Sequence, residues 1–212
     1  MKDETRVVVA GRDPHSNYGI VNPPVYHAST VLFPTLAALR AGTGIDPNQV
    51  VYGRNGTPTI FALQDAFCEL EGGDLAVACA SGKAAIVTVL MAYLQAGDHI
   101  LITDSAYQPT RTFTLGVLER FGVEASFYDP RLGADVANLI RPNTRVVYVE
   151  SPGSITFEVQ DIPAIAKAAH DHGAIVVADN TWAGGYFCKP HTLGADVVLQ
   201  AGTKYVVGHS DA

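Results

Sequence analysis

Five polar or charged groups in this 212-residue chain each stand directly after a short apolar run. Ser81-Gly82-Lys83 could open a helix and offer free backbone N–H groups to a phosphate. Tyr107 could lay its ring on a planar ligand. Ser151-Pro152-Gly153-Ser154 makes a polar turn. Asp179-Asn180-Thr181-Trp182 puts a carboxylate where an apolar run ends. Ala201-Gly202-Thr203-Lys204-Tyr205 puts an amine in the same kind of place. Each alone has an ordinary explanation: a tight turn, a packed tyrosine, a turn-forming aspartate, a solvated lysine.

The runs before these groups alternate with helix-length segments. Leu75–Ala80, His99–Thr103, Glu124–Tyr128, Arg145–Glu150, Ala174–Asp179 and Asp196–Gln200 read as strands. Between them Ala84–Leu94, Thr110–Phe121, Ala134–Ile140 and Pro163–His172 read as helices, with glycine after three of them as stops. Before them, Ile60, Leu63, Phe67 and Leu70 share one helical face between Thr57-Pro58-Thr59 and Gly72-Gly73. The alternation predicts an α/β domain, a mostly parallel sheet with helices on both faces. The apolar strands fit burial on both sides. Ligands bind such sheets at the carboxyl ends of the strands, where the five groups stand.

Residues 1–56 read differently, as an irregular arm punctuated by Gly11, Pro14, Asn22-Pro23-Pro24, Pro34, Gly42, Gly44 and Asp46-Pro47. A stretch of that kind has no core of its own and is expected on another surface, that of a neighbouring subunit. The expected organisation is an arm over 1–56 and a domain over 57–212. The close at Gly208-His209-Ser210-Asp211-Ala212, without helix or polar tail, reads as a chain cut short of a further domain.

Composition narrows the function. The chain is 48% hydrophobic and 17% charged, enough apolar residues for a sizeable core, with a net charge of -7. An acidic chain does not suit nucleic acid or an anionic membrane. No run reaches the roughly 18 apolar residues of a membrane span, and the polar opening Met1-Lys2-Asp3-Glu4 is not a secretory leader. Three cysteines, Cys68, Cys79 and Cys188, without CxxC spacing, indicate buried thiols in a cytoplasmic protein and no metal site.

A phosphate cradle, a stacking ring, a carboxylate and a lysine, all following strands of one sheet, form the set that a pyridoxal phosphate site requires. The lysine makes a Schiff base and the acid partners the pyridine nitrogen. Tyr52-Gly53-Arg54-Asn55-Gly56-Thr57-Pro58-Thr59, Cys68-Glu69-Leu70-Glu71-Gly72-Gly73, Ser81-Gly82, Asp179-Asn180-Thr181 and Thr203-Lys204-Tyr205 together resemble the cysteine/methionine-metabolism pyridoxal-phosphate enzymes. Glu150-Ser151-Pro152-Gly153-Ser154-Ile155-Thr156 and Lys204–Ala212 resemble the carbon–sulfur β-lyase branch of that family.

The resemblance implies an aspartate-aminotransferase-like (type I) fold, with pyridoxal 5'-phosphate as cofactor and an amino-acid substrate. It implies that Lys204 carries the cofactor and moves the substrate Cα proton, with Tyr107 and Tyr52 completing the catalytic set. Asp179 would hold the pyridinium proton, Tyr107 stack on the ring, and Thr181 lie beside it. Gly82 and Lys83, through backbone N–H groups, and Thr203, through its hydroxyl, would bind the phosphate. Tyr52 and Arg54 would reach the phosphate of a neighbouring subunit, so the site needs at least a dimer, and a tetramer is expected. The implied reaction is β-elimination of L-cystathionine to L-homocysteine, pyruvate and ammonia.

Some positions depart from the family pattern. Ala201 stands where many relatives have Ser, which removes one phosphate hydroxyl. Lys83 stands where many have an apolar residue. Ser154 replaces the Asn of other branches and weakens the contact expected at the cofactor's 3-oxygen. The resemblance also implies that the arginine gripping the substrate carboxylate belongs to a small C-terminal domain beyond this sequence. Alternatives remain a γ-lyase or an O-acylhomoserine sulfhydrylase of the same family, a non-catalytic relative, and a nucleotide-binding domain. The last fits poorly: a Walker loop needs Gly at Val77 and Ser or Thr at Ala84.

Overall fold

The computed structural model describes residues 1–41 and 49–210. The turn formers Gly42, Gly44 and Asp46-Pro47, and the terminal Asp211-Ala212, lie outside the described residues. The chain divides into two compact units, Met1–Ala78 and Cys79–Ala212.

In the first unit the arm is less irregular than its turn formers suggest. Helix α1 spans Asp3–Val9 and α2 spans Leu36–Ala41. Both are too short for apolar periodicity to announce them. The fourteen-residue α3, Pro58–Glu71, is the expected amphipathic helix, with Pro58 in its first turn and left-handed Gly72 (φ 79°) as its stop. The arm lies along it. Thr59 Oγ1 accepts the Tyr26 N–H at 2.9 Å and donates to the Pro24 carbonyl at 2.7 Å, and Arg6 pairs with Glu69 at 3.5 Å. Helix α3, read from sequence as part of the domain over 57–212, is thus the scaffold of the arm's own unit. Leu75–Ala80, expected as a strand, is not among the strands of the described residues. Leu75 and Val77 stand exposed, so the run lacks the two buried faces of a strand in such a sheet.

The second unit holds a five-stranded parallel sheet: β1 His99–Thr103, β2 Glu124–Tyr128, β3 Thr144–Glu150, β4 Ile175–Asp179 and β5 Val197–Leu199, in the order β2-β1-β3-β4-β5. Alternate residues serve opposite faces. Leu101, Val147, Val149, Val176 and Ala178 pack with α6 (Ile162–Asp171) and the 3-10 turns of Gly133–Leu139. Ile100, Ile102, Val146, Tyr148 and Val177 pack with α4 (Gly82–Tyr93) and with Phe113 and Leu118 from the segment after β1. Burying each such side chain contributes about 1.5–3 kcal/mol. Both faces are covered by helices, as the apolar strands imply.

The helix expected over Thr110–Phe121 is three pieces: α5 (Gln108–Phe113), a π turn at Thr114–Leu118 and a 3-10 turn at Glu119–Phe121. Gly116 within it costs helix stability, and left-handed Gly122 ends it. In place of the expected helix Ala134–Ile140 the chain forms a 3-10 helix over Gly133–Leu139, with Ile140 already extended. No helix of the described residues is long and apolar enough to cross a membrane.

Candidate active site

The strand order reverses between β1 and β3, so their onward connections leave on opposite faces and open a crevice at the carboxyl ends. Glu150 closes β3 and Asp179 closes β4, and the two are register partners across the ladder. Neighbours in a parallel ladder share a face, and both carboxyls lie on the side covered by α4 and α5. Asp179 is buried. Its Oδ1 accepts the Thr181 N–H at 2.9 Å and its Oδ2 accepts the Tyr148 hydroxyl at 3.2 Å. Burial pushes its pKa up, while the donors from Thr181 and Tyr148 pull it back. Glu150 is raised too, to about 8, first by burial and then by the charge of Asp179. Burial and mutual repulsion therefore disfavour charge on both carboxyls at once.

Tyr107 stands at the start of α5, partly exposed, and its backbone N–H donates to Glu150 Oε2 at 2.7 Å. Helix α4 begins at Gly82 with Ser81 as its cap, Ser81 Oγ accepting the Ala84 N–H at 3.1 Å. The Gly82 and Lys83 N–H groups, earlier in that first turn, have no intrahelical acceptor. Gly82 lies hard against the end of β5. A Cβ there would come within 2.6 Å of the Ala201 Cβ and 3.0 Å of its Cα. Ala201 N in turn donates to Thr181 Oγ1 at 2.9 Å. One chain of contacts therefore runs from the α4 N-terminus through Ala201 and Thr181 to Asp179, and on through Tyr148 and Glu150 to Tyr107.

Ser154 joins the same end of the sheet through its N–H to the Ser105 carbonyl at 2.8 Å, where Gly153 approaches Ser105 too closely for a side chain. Thr203 and Lys204 lie exposed in the turn after β5, with Lys204 N bonded to the Ala201 carbonyl at 3.1 Å. The Lys83 side chain is exposed. Tyr52 and Arg54 lie in the first unit, both exposed, with the Arg54 guanidinium 5.9 Å from the Tyr52 ring centre. The structure thus brings Gly82, Lys83, Tyr107, Ser154, Asp179, Thr181, Thr203 and Lys204 to the carboxyl ends of one sheet. Tyr52 and Arg54 lie beside one another in the first unit.

Tyr148 and Glu150 were not singled out from sequence. Both lie inside an expected strand, ahead of the turn that follows it. The signal was available, because a glutamate closing an apolar run has the same standing as Asp179.

A buried carboxylate with no ion-pair partner among the described residues suits a cationic ring nitrogen. A capped helix start with free N–H groups and no side chain at Gly82 suits a phosphate. The site fits pyridoxal phosphate. Comparison with known proteins agrees. The family described as Cys/Met metabolism PLP-dependent enzyme matches residues 4–212. The chain is 44% identical to the cystathionine beta-lyase MetC of Escherichia coli K12, over all of this chain and 54% of that one. It is also 44% identical to the cystathionine beta-lyase of Salmonella typhimurium, over 99% and 54%. A solved structure of cystathionine gamma-lyase from Lactobacillus plantarum, complexed with L-serine, superposes with a TM-score of 0.88 at 37% identity, over all of this chain and 53% of that one. The chain spans about half the length of the curated relatives it matches. A sheet end built for a ring cation and a phosphate, and a family match over almost every residue, lead to one statement: this chain belongs to the Cys/Met metabolism PLP-dependent enzyme family.

Proposed function

We propose that this chain forms the cofactor-binding part of a carbon–sulfur β-lyase that cleaves L-cystathionine to L-homocysteine, pyruvate and ammonia. The observation that carries the reading is the buried Asp179 carboxylate, held by Tyr148 and Thr181 in one contact network with the start of α4. When bound, pyridoxal phosphate supplies the electron sink that makes loss of a Cα proton accessible.

The residues divide the remaining work. Lys204 holds the cofactor covalently, takes the Cα proton and returns a proton to the departing sulfur. Asp179 keeps the proton on the pyridine nitrogen. The Tyr107 ring covers the cofactor from its place at the start of α5. The Gly82 and Lys83 N–H groups and the Thr203 hydroxyl take the phosphate oxygens. Thr181 braces Asp179, and Ser154 faces the ring's 3-oxygen. Tyr52 and Arg54 bind the phosphate of a neighbouring subunit, the arginine fork matching its oxygens. The arm over 1–56 accordingly lies on that neighbour, with the dimer as the smallest complete form and the tetramer as the assembly. The cytoplasm is the proposed compartment, and the absence of any disulfide among the three cysteines suits it.

Borohydride reduction of the full-length protein, followed by peptide mapping, tests the cofactor assignment. The pyridoxyl label is expected on Lys204, and label on Lys83 or Lys189 instead refutes it. Product analysis tests the reaction. Pyruvate with homocysteine supports β-elimination. The likeness to the Lactobacillus plantarum gamma-lyase favours a second reading, γ-elimination, which yields 2-oxobutyrate with cysteine.

A further inference from the structure

The cofactor roles above use one carboxyl at the end of the sheet, yet the structure buries two. Glu150 and Asp179 are register partners on β3 and β4, and both are less than a tenth exposed. Two residues before Glu150, on the same strand face, the Tyr148 hydroxyl reaches Asp179 Oδ2. On its other side Glu150 Oε2 receives the Tyr107 N–H at 2.7 Å. Gln160, which sends its Nε2 to the Glu150 carbonyl at 2.8 Å, holds that backbone from the segment ahead of α6. The titratable groups facing Glu150 are Asp179 from β4 and Tyr148 from its own strand. It forms no ion pair with any lysine, arginine or histidine among the described residues.

We propose that Glu150 is a positioning residue of the cofactor site: it anchors the Tyr107 backbone on one side and forms a carboxyl pair with Asp179 on the other. The inference rests on the reading of Asp179 as partner of the ring nitrogen. Its physical content is a charge that depends on pH. Up to about pH 8 burial and the neighbouring Asp179 keep the proton on Glu150. Above that pH Glu150 ionises and adds a negative charge beside a cationic ring. Ring binding in turn favours that ionisation, so the contribution of Glu150 to cofactor affinity grows with pH.

The test uses the full-length protein stripped of cofactor. Affinity for pyridoxal phosphate is measured at pH 6.5 and pH 9 for the wild type, Glu150→Gln, Glu150→Ala and Asp179→Asn. Gln keeps the acceptor for Tyr107 N–H and cannot ionise. The Glu150→Gln dissociation constant is expected to match the wild type at pH 6.5 and to exceed it by about tenfold at pH 9, the equivalent of one pKa unit. Glu150→Ala, which also loses the anchor, is expected to bind more weakly at both pH values. A Gln-to-wild-type ratio that does not change with pH overturns the proposal.

Asp179→Asn separates the two ideas. If it leaves affinity unchanged, the reading of Asp179 itself falls. If it weakens affinity while the Gln ratio stays flat, only the inference falls. Melting of the cofactor-free proteins gives a second measure. Glu150 keeps its proton in the fold to about pH 8 but loses it near 4.5 when unfolded, so wild-type stability should drain as pH rises through that window. Glu150→Gln should lack that loss, and parallel melting profiles would also overturn the proposal.

Discussion

The Tyr148 hydroxyl donates to Asp179 Oδ2 at 3.2 Å from the neighbouring strand, and both residues are buried. This bond holds the carboxylate in one rotamer and favours its charged form. A hydrogen bond to a charged group contributes about 1.5–3 kcal/mol. Tyr148→Phe keeps the ring volume and removes the donor. Its affinity for pyridoxal phosphate, followed by absorbance titration, is expected to fall by on the order of tenfold or more. An unchanged affinity means that Thr181 alone suffices to hold Asp179.

Gly82→Ala tests the contact between α4 and β5. The new methyl would meet Ala201 Cβ at 2.6 Å, and both sides of that contact are backbone-borne and rigid. Overpacking of this kind costs about 1–3 kcal/mol. Urea unfolding should show that loss, and cofactor affinity should fall with it as the helix start moves. Ala201→Gly in the same chain removes the facing methyl and should recover part of both.

His99 predicts a loss of stability in mild acid. It is wholly buried at the amino end of β1, with Nδ1 2.7 Å from Thr144 Oγ1 and Nε2 3.0 Å from Ser126 Oγ. Burial, with the Arg141 charge, lowers its pKa from the ordinary 6.5. The fold therefore prefers neutral imidazole, and the unfolded chain takes up the proton first. The stability that depends on neutral His99 is complete above pH 6.5 and declines as pH falls, by up to about 1.4 kcal/mol per unit. Melting temperature against pH should fall more steeply for the wild type than for His99→Gln between pH 6.5 and 5.

Subunit sharing has a direct test in mixed oligomers of the full-length protein. Arg54→Ala and Lys204→Ala are each expected to be inactive or nearly so. If Arg54 serves the neighbour's phosphate, exchanging subunits between the two variants creates one intact site per mixed dimer, and activity returns. Activity that stays absent after verified exchange places Arg54 and Lys204 in the same chain's site.

Much of the sheet was legible in the sequence. His99–Thr103 and Glu124–Tyr128 are strands to the residue, each a short run bounded by turn residues. Leu75–Ala80 is as apolar as either and is no strand, because pairing is decided by what lies beside a segment. Lys204, Asp179 and Gly82, the proposed site's lysine, aspartate and glycine, stand out in the sequence as punctuation after apolar runs. Tyr148 does not, because what distinguishes it is burial next to Asp179, and although Glu150 closes an apolar run as Asp179 does, its pairing with Asp179 is a tertiary fact. The break in the helix at Thr114–Leu118 was hidden for a related reason. Local propensity sets a helix's extent, whereas packing of Phe113 and Leu118 on the sheet sets its register.

The strand order also bears on how the chain comes to fold. β1 is made before every other strand of the sheet, yet it ends between β2 and β3. Until Thr144–Glu150 has left the ribosome, His99–Thr103, wholly buried in the finished fold, has one neighbour and an open edge. Pairings between segments this far apart form slowly, because loop-closure entropy is lost before contacts compensate for it. During that interval the β1 edge is where a nascent chain would engage a chaperone, or a second nascent copy of itself.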